Sequence, residues 1–175
     1  MSETKYTLET LHAKEWFKKL PASQRELLQQ SFYLIEDIEY KKKTFYDYSF
    51  IVMPAAKAYE GFVKDMLFRL GLISEKRYTG KRFRVGKALN PALAQSDPNS
   101  FEALYDDLEN LYHSKELPEL LWQTWKECRN KIFHYFIDNT QHITLHEAKE
   151  RLQQILTAIE KAQSICAVAF QPSLQ

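Results

Sequence analysis

Apolar residues recur along this chain at intervals of three and four, the spacing of helices that bury one face. From Ser23 to Tyr40 the positions Leu27, Leu28, Phe32, Leu34, Ile35 and Ile38 keep that period. The segment starts behind Pro21, with Ser23 and Glu26 at capping-box spacing. The run Ser49 to Leu70 predicts the longest helix, with a buried stripe through Ala56, Tyr59, Val63, Met66, Leu67 and Leu70 and with Gly71 just past its end. Pro54 fits the first turn of a helix that starts near Val52, or marks a kink in one that starts earlier. Phe101 to Ser114 reads as a helix on Leu104, Leu108 and Leu111. Pro118 opens another that runs to about Ile137 through Leu121, Trp125, Cys128, Ile132 and Tyr135 or Phe136, stopped by Asp138, Asn139 and Thr140. Thr144, with Glu147 three residues on, caps a last helix to about Val168 through Ala148, Leu152, Ile155, Ile159, Ala162 and Cys166.

Breakers interrupt this pattern in one place. Three of the four glycines (Gly71, Gly80, Gly86) and both Pro91 and Pro98 fall close together, so residues 72–99 are expected to be an irregular insertion. Residues 1–20 are expected to be an N-terminal extension. The expectation is one all-α domain over residues 1–175, an antiparallel helical bundle with short connections and one long basic loop insertion. At 175 residues the chain is long enough to bury a core without staples. Four glycines exclude most Gly-rich phosphate loops and dinucleotide turns, which need several close together. Cys128 and Cys166 lie in apolar-periodic segments, which points to a reducing compartment rather than a disulfide scaffold. The opening MSETKYTLETLHAKEW has no apolar stretch of the secretory kind, and no apolar run approaches a membrane span. A cytoplasmic location is expected.

Charge changes the picture through its distribution rather than its sum. Twenty-four Lys and Arg against 23 Asp and Glu exclude a bulk basic coat for nucleic acid. Residues 69–87, however, carry Arg69, Lys76, Arg77, Lys81, Arg82, Arg84 and Lys87 against Glu75 alone, a local net of +6, and residues 102–119 are acidic.

The candidate chemistry gathers in two helices. In the Pro118 helix, Arg129, Asn130 and His134 stand among heavy aromatics near the C-terminus, where the backbone dipole favours cations. Ordinary helix decoration is one reading of them. In an unbroken α-helix, five residues give about 140° of rotation, so Arg129 and His134 would not stack, whereas Asn130 and His134 would. In the Ser49 helix, Glu60 lies beside the apolar stripe next to Gly61, with Lys57 and Lys64 at i−3 and i+4. A local ion pair competes there with a pair to a neighbouring helix. Weaker features are the His142/His146 pair, which lacks convincing partners for a metal, and the Phe45, Tyr46, Tyr48, Phe50 cluster. That cluster would either stack bases or anchor a loop. No metal site and no cofactor is expected.

Arg129–Asn130–Lys131–Ile132–Phe133–His134 resembles the R-x4-6-H motif of the HEPN superfamily of helical-bundle ribonucleases. The segment MPAAKAYEGFVKDML is similar to the corresponding helix in the catalytic domain of RNase LS-type (RnlA-like) toxins of toxin–antitoxin systems. There an Arg, and three residues later a Glu, join the motif residues. Glu60 matches the Glu, and Lys57 stands where the Arg would be, keeping the charge without the planar fork. The resemblance spans about residues 50–168. Some HEPN toxins carry a Tyr two residues after the His that a partner modifies with AMP; Phe136 holds that position here, which excludes that modification.

The resemblance implies metal-independent RNA cleavage at a composite site between two protomers of a homodimer. It also implies a toxin or phage-defence role and a cognate antitoxin protein. His134 would act as general base or acid, and Arg129 would clamp the scissile phosphate. Glu60 would orient them, Lys57 would hold phosphate, and Asn130 would hold the histidine tautomer or cap the helix end. Lys76, Arg77, Lys81, Arg82, Arg84 and Lys87 would track the RNA backbone. Two other classes fit the same residues: a catalytically inactive HEPN-like protein that binds RNA or a partner, and a helical interaction module.

Overall fold

The computed structural model describes residues 6–96, 103–134 and 142–167. Every regular element among them is helical, as the three-and-four spacing predicts. Four helical segments build the core: α3 (Ala22–Lys41), α4 (Ser49–Arg69), α9 (Glu116–Trp125) with its continuation through Lys126–Asn130 into α10 (Lys131–Phe133), and α11 (Leu145–Ile165). Ahead of them come α1 (Leu8–Ala13) and α2 (Glu15–Lys18). Between α4 and α9 come α5 (Glu75–Thr79), α6 (Val85–Ala88), α7 (Pro91–Ser96) and α8 (Tyr105–Tyr112).

Cross-links between side chains fix the directions. Ser31 of α3 accepts a hydrogen bond from the Ala55 amide of α4 at 3.2 Å, and Gln24 lies against Gly61, so α3 and α4 are antiparallel. The Tyr48 amide donates to the Ile143 carbonyl at 3.0 Å, at the starts of α4 and α11. At their far ends Met66 Sδ and Cys166 Sγ are 3.9 Å apart, so these two run the same way. Cys128 Sγ meets the Arg151 carbonyl at 3.6 Å. Helix α4 is the central member, buried along Ile51, Val52, Ala55, Ala56, Tyr59, Phe62, Val63, Met66 and Leu67, which includes all of its predicted stripe except Leu70. The α11 stripe from Ala148 to Cys166 is buried as the spacing predicts.

The helix ends show which local signals held. Thr144 and Glu147 form a reciprocal capping box at the start of α11. Gly71 sits at φ +71°, and its amide bonds the Phe68 carbonyl while Leu72 bonds Leu67, the paired bonds of a Schellman motif. Ser23 and Glu26 form no box. The helix starts one residue earlier, at Ala22, so Ser23 lies inside the first turn, and the Pro21 carbonyl takes the Gln24 and Arg25 amides. Pro54 falls inside α4, since that helix already starts at Ser49. The proline has no N–H to give, and the next amide, that of Ala55, is the one Ser31 meets from α3.

Other expectations needed correction. Residues 72–99 are not a loop throughout, because α5, α6 and α7 form inside them; Pro98 lies outside the described residues. Residues 6–20, within the expected N-terminal extension, pack on the core. Tyr6, Leu11, Trp16, Phe17 and Leu20 are buried. Gln153 of α11 accepts from the Tyr6 amide at 2.8 Å and donates to its carbonyl at 2.9 Å. Leu111 is 49% exposed, and α8 begins only at Tyr105; Phe101 is outside the described residues. The Pro118 helix starts two residues earlier, at Glu116. It loses α geometry at Lys126 and ends at Phe133 rather than near Ile137. Residues 135–140 and Val168 lie outside the described residues.

One packing contact docks the basic insertion onto the core. A Cβ on Gly86 of α6 would lie 2.1 Å from the Trp125 ring, so glycine is the residue this approach admits. Gly86→Ala is expected to lower the unfolding free energy by about 1–3 kcal/mol through overpacking. Thr144→Ala is expected to cost about 1 kcal/mol through loss of the cap. Urea denaturation of each variant measures both.

Candidate functional site

The site forms where α4 faces the end of the Trp125 segment. Met53, Ala56, Lys57 and Glu60 follow one another at helical spacing on α4. Together with Arg129 and Phe133 they line a pocket of about 220 Å3. Glu60 Oε2 stands 3.8 Å from Arg129 Nε. The cation Glu60 meets is thus on another helix, and the local pair with Lys57 or Lys64 is not what forms. Lys64 turns the other way, donating to the Gly80 carbonyl at 3.2 Å.

The register that permits this meeting comes from the residue beside Glu60. Tyr59 is buried, and its hydroxyl donates to the Leu121 carbonyl at 2.9 Å. Burial pushes its ionisation well above the ordinary phenol range. A hydroxyl held neutral and bonded inside the core pins α4 against α9 one residue from the carboxylate.

Backbone geometry on the facing helix is equally specific. Residues Lys126–Asn130 form a π turn, closed by the bond from the Lys131 amide to the Lys126 carbonyl. A π turn takes one more residue to close than an α turn, so a helical wheel drawn for an unbroken helix fails past Lys126. Arg129 lies within this turn. Its guanidinium carbon sits 5.5 Å from the centroid of the Trp125 ring, a cation–π arrangement. Trp125 in turn stacks on Trp122 at 5.6 Å between centroids. Glu127, one turn away, is 2.7 Å from Lys131 and 3.8 Å from Arg151. Cys128 is buried, and desolvation pushes its thiol up to about 12, which removes it as a nucleophile near neutral pH.

The predicted residues therefore separate into three groups. Lys57, Glu60 and Arg129 are brought together. His134 directly follows the pocket residue Phe133 but is not among the lining residues. It is exposed and extended, at φ −105° and ψ 132°. His134 is the residue at which the helix ends, so the α-helical geometry behind the expected stacking of Asn130 on it does not continue through it. The same helix ending removes the premise of the 140° separation from Arg129. Lys76, Arg77, Lys81 and Arg82 line a second, basic cavity of about 490 Å3 with Gly80 and Phe83. The Arg77 guanidinium stacks on Phe83 at 5.2 Å, and one of its terminal nitrogens is buried without a partner. Arg84 precedes α6 and Lys87 lies within it.

Three contributors escaped the sequence reading. Met53 and Phe133 line the pocket, and Trp125 carries Arg129. The Trp125–Arg129 spacing of four was a usable signal, whereas the π turn had none. In the aromatic connector after α3, Phe45 and Tyr46 are 45% and 76% exposed. Tyr48 is buried, and Asp47 accepts from the Ser49 and Ile143 amides, each at 3.1 Å. His142 lies on Tyr46 at 4.6 Å and His146 beside Glu150 at 3.3 Å, so the two histidines have separate partners.

The Glu60 and Arg129 side chains are 36% and 33% exposed, too wet for their pairing to matter much to the fold. Glu60→Gln is expected to change the unfolding free energy by less than about 1 kcal/mol, measured by urea denaturation. Compared with known proteins, the chain matches no family model, no curated protein and no solved structure, so a functional reading rests on this geometry and on the motif residues.

Proposed function

We propose that this chain is a metal-independent endoribonuclease of the HEPN type, acting as a toxin or phage-defence effector. The single observation that carries the reading is the meeting of Arg129 and Glu60, from two helices, in a pocket they share with Lys57. Arginine's planar fork suits a phosphodiester, and the Glu60 carboxylate lies toward its Nε edge. Trp125 restrains the same guanidinium from its face.

In the cleavage step, the ribose 2′-hydroxyl attacks the adjacent phosphorus and the bond to the 5′-oxygen breaks. The products are a 2′,3′-cyclic phosphate and a 5′-hydroxyl. His134 takes the proton from the 2′-hydroxyl or delivers one to the departing oxygen, work suited to the side chain that exchanges protons near neutral pH. Arg129 and Lys57 offset the charge that grows on the phosphoryl oxygens. The basic cavity around Arg77 holds RNA backbone further along. A homodimer would place two such sets of residues across one groove. A second reading, an RNA-binding protein without catalysis, is favoured by one observation: His134 does not line the Arg129 pocket.

The test is incubation of the purified protein with mixed RNA in EDTA. Cleavage is expected to persist in the chelator, to fall at least about a hundredfold in His134→Ala, and to fall by a similar factor in Arg129→Ala. Cleavage unchanged in His134→Ala overturns the assignment. RNA binding without cleavage, weakened by Arg77→Ala or Arg82→Ala, supports the second reading. Light scattering that returns one chain mass at working concentration counts against the dimeric site.

A further inference from the structure

Beside the Arg129 pocket lies a second depression that the cleavage chemistry leaves unused. It is a cleft of about 480 Å3 between the first turns of α3 and the middle of α4. Gln24, Glu26, Leu27, Gln30 and Gly61 line it, and so does Lys57, which also lines the Arg129 pocket. The two depressions therefore share a wall, and that wall is a cation.

Two features that each cost stability coincide in this cleft. Gln24 is only 8% exposed, and its Oε1 is buried with no hydrogen-bond partner. Such an orphan costs about 1–3 kcal/mol. Opposite it, Gly61 stands in the interior of α4, where glycine costs about 0.5–1 kcal/mol relative to alanine. Nothing in the backbone demands glycine there. A Cβ at Gly61 would lie 3.4 Å from the Gln24 amide nitrogen, a close but admissible contact. Two local departures from a well-made core, facing each other across one cleft, are expected where a fold keeps room for a ligand.

The chemistry of the walls says what kind. Lys57 is the only cation among the lining residues, so the cleft interior does not suit a phosphate. Its other polar groups are the carboxamides of Gln24 and Gln30, the carboxylate of Glu26 and the Ser23 hydroxyl, set around the apolar Leu27. Carboxamides pair with base edges, and a carboxylate accepts from an exocyclic amine. Unpaired RNA bases are read through such edges.

We propose that the α3–α4 cleft is a nucleobase subsite of the RNA-cleaving site. It holds the unpaired base next to the phosphate bound by Lys57 and Arg129, and it favours the amine-bearing bases over uracil. The orphaned Gln24 Oε1 accepts from the base edge, Glu26 accepts from the amine, and Gly61 keeps the cleft open. This rests on the ribonuclease reading above.

The experiment sequences the product ends after limited cleavage of a random single-stranded RNA pool by the full chain. It compares wild type with Gly61→Val, which fills the cleft, and Gln24→Leu, which removes the amide. Wild type is expected to cut beside adenine, cytosine or guanine and to avoid uracil. Both variants are expected to lose that bias and to raise KM about tenfold, the loss falling in KM more than in kcat. Gln24→Leu is also expected to melt at or above the wild-type temperature, since it removes the buried orphan; that readout separates lost recognition from lost folding. Cleavage by wild type without base bias, or a bias unchanged in both variants, overturns the subsite and leaves the ribonuclease reading standing. If wild type cleaves no RNA, the ribonuclease reading fails by itself. The cleft is then judged by fluorescence anisotropy with labelled oligoadenylate and oligouridylate hexamers. Tighter binding of oligoadenylate, lost in Gly61→Val, sustains the base site, and equal binding of the two hexamers overturns it.

Discussion

The hydrogen bond from the buried Tyr59 hydroxyl to the Leu121 carbonyl fixes where α4 meets α9, beside the Glu60–Arg129 pair. Apolar packing alone lets two helices slide by a fraction of a turn at small cost, whereas a buried hydroxyl has few places to put its proton. With Tyr59 committed, α4 has one register against α9, and Glu60, the next residue, faces Arg129. The opposite side of α4 is held in the same manner, where Ser31 takes the Ala55 amide beside Pro54. A helix buried along most of its length is thus locked at two polar points, and the surface it presents between them carries Lys57, Glu60 and Gly61.

Against this fixed helix, the facing segment departs from α geometry where Arg129 occurs. The π turn places Arg129 between Trp125 and Glu60, so the guanidinium is held by a ring face and by a carboxylate. Trp125 links this arrangement to the basic insertion, because Gly86 admits its ring against α6. The charge segregation visible in the sequence thereby acquires a location. The basic cavity around Arg77 belongs to a segment docked on the same tryptophan that carries Arg129. A near-neutral molecule can in this way present a local positive field without a long-range one, which favours short-range recognition over bulk capture.

Legibility in the sequence tracked how local each feature was. The α4 and α11 stripes, the Thr144–Glu147 box and the Gly71 cap each depend on residues within a few positions of one another, and each formed. Ser23 and Glu26 had the right spacing but the wrong start, since the Pro21 carbonyl began the helix one residue early. Leu111 kept the period of Leu104 and Leu108 yet stands exposed, because periodicity says which residues share a face and not whether a neighbour covers it. The packing of the N-terminal segment had no local signal because its anchors, Gln153 on Tyr6 and Gln163 donating to the Trp16 carbonyl, lie some 147 residues away along the chain. No signal marked the π turn or the short insertion helices.

By itself the sequence determined the helical class, the central helices and the segregation of charge. All of these follow from side-chain type and spacing along a helix, which the local backbone enforces. Only the tertiary structure decided that Glu60 pairs with Arg129 rather than with a lysine of its own helix. The same holds for the end of the motif helix at Phe133 and for the opening of Gly61 onto Gln24. Each of those outcomes depends on what a neighbouring helix offers at that point (a cation, a ring, a carbonyl or an empty space), and pairing across helices is set by packing rather than by distance in sequence.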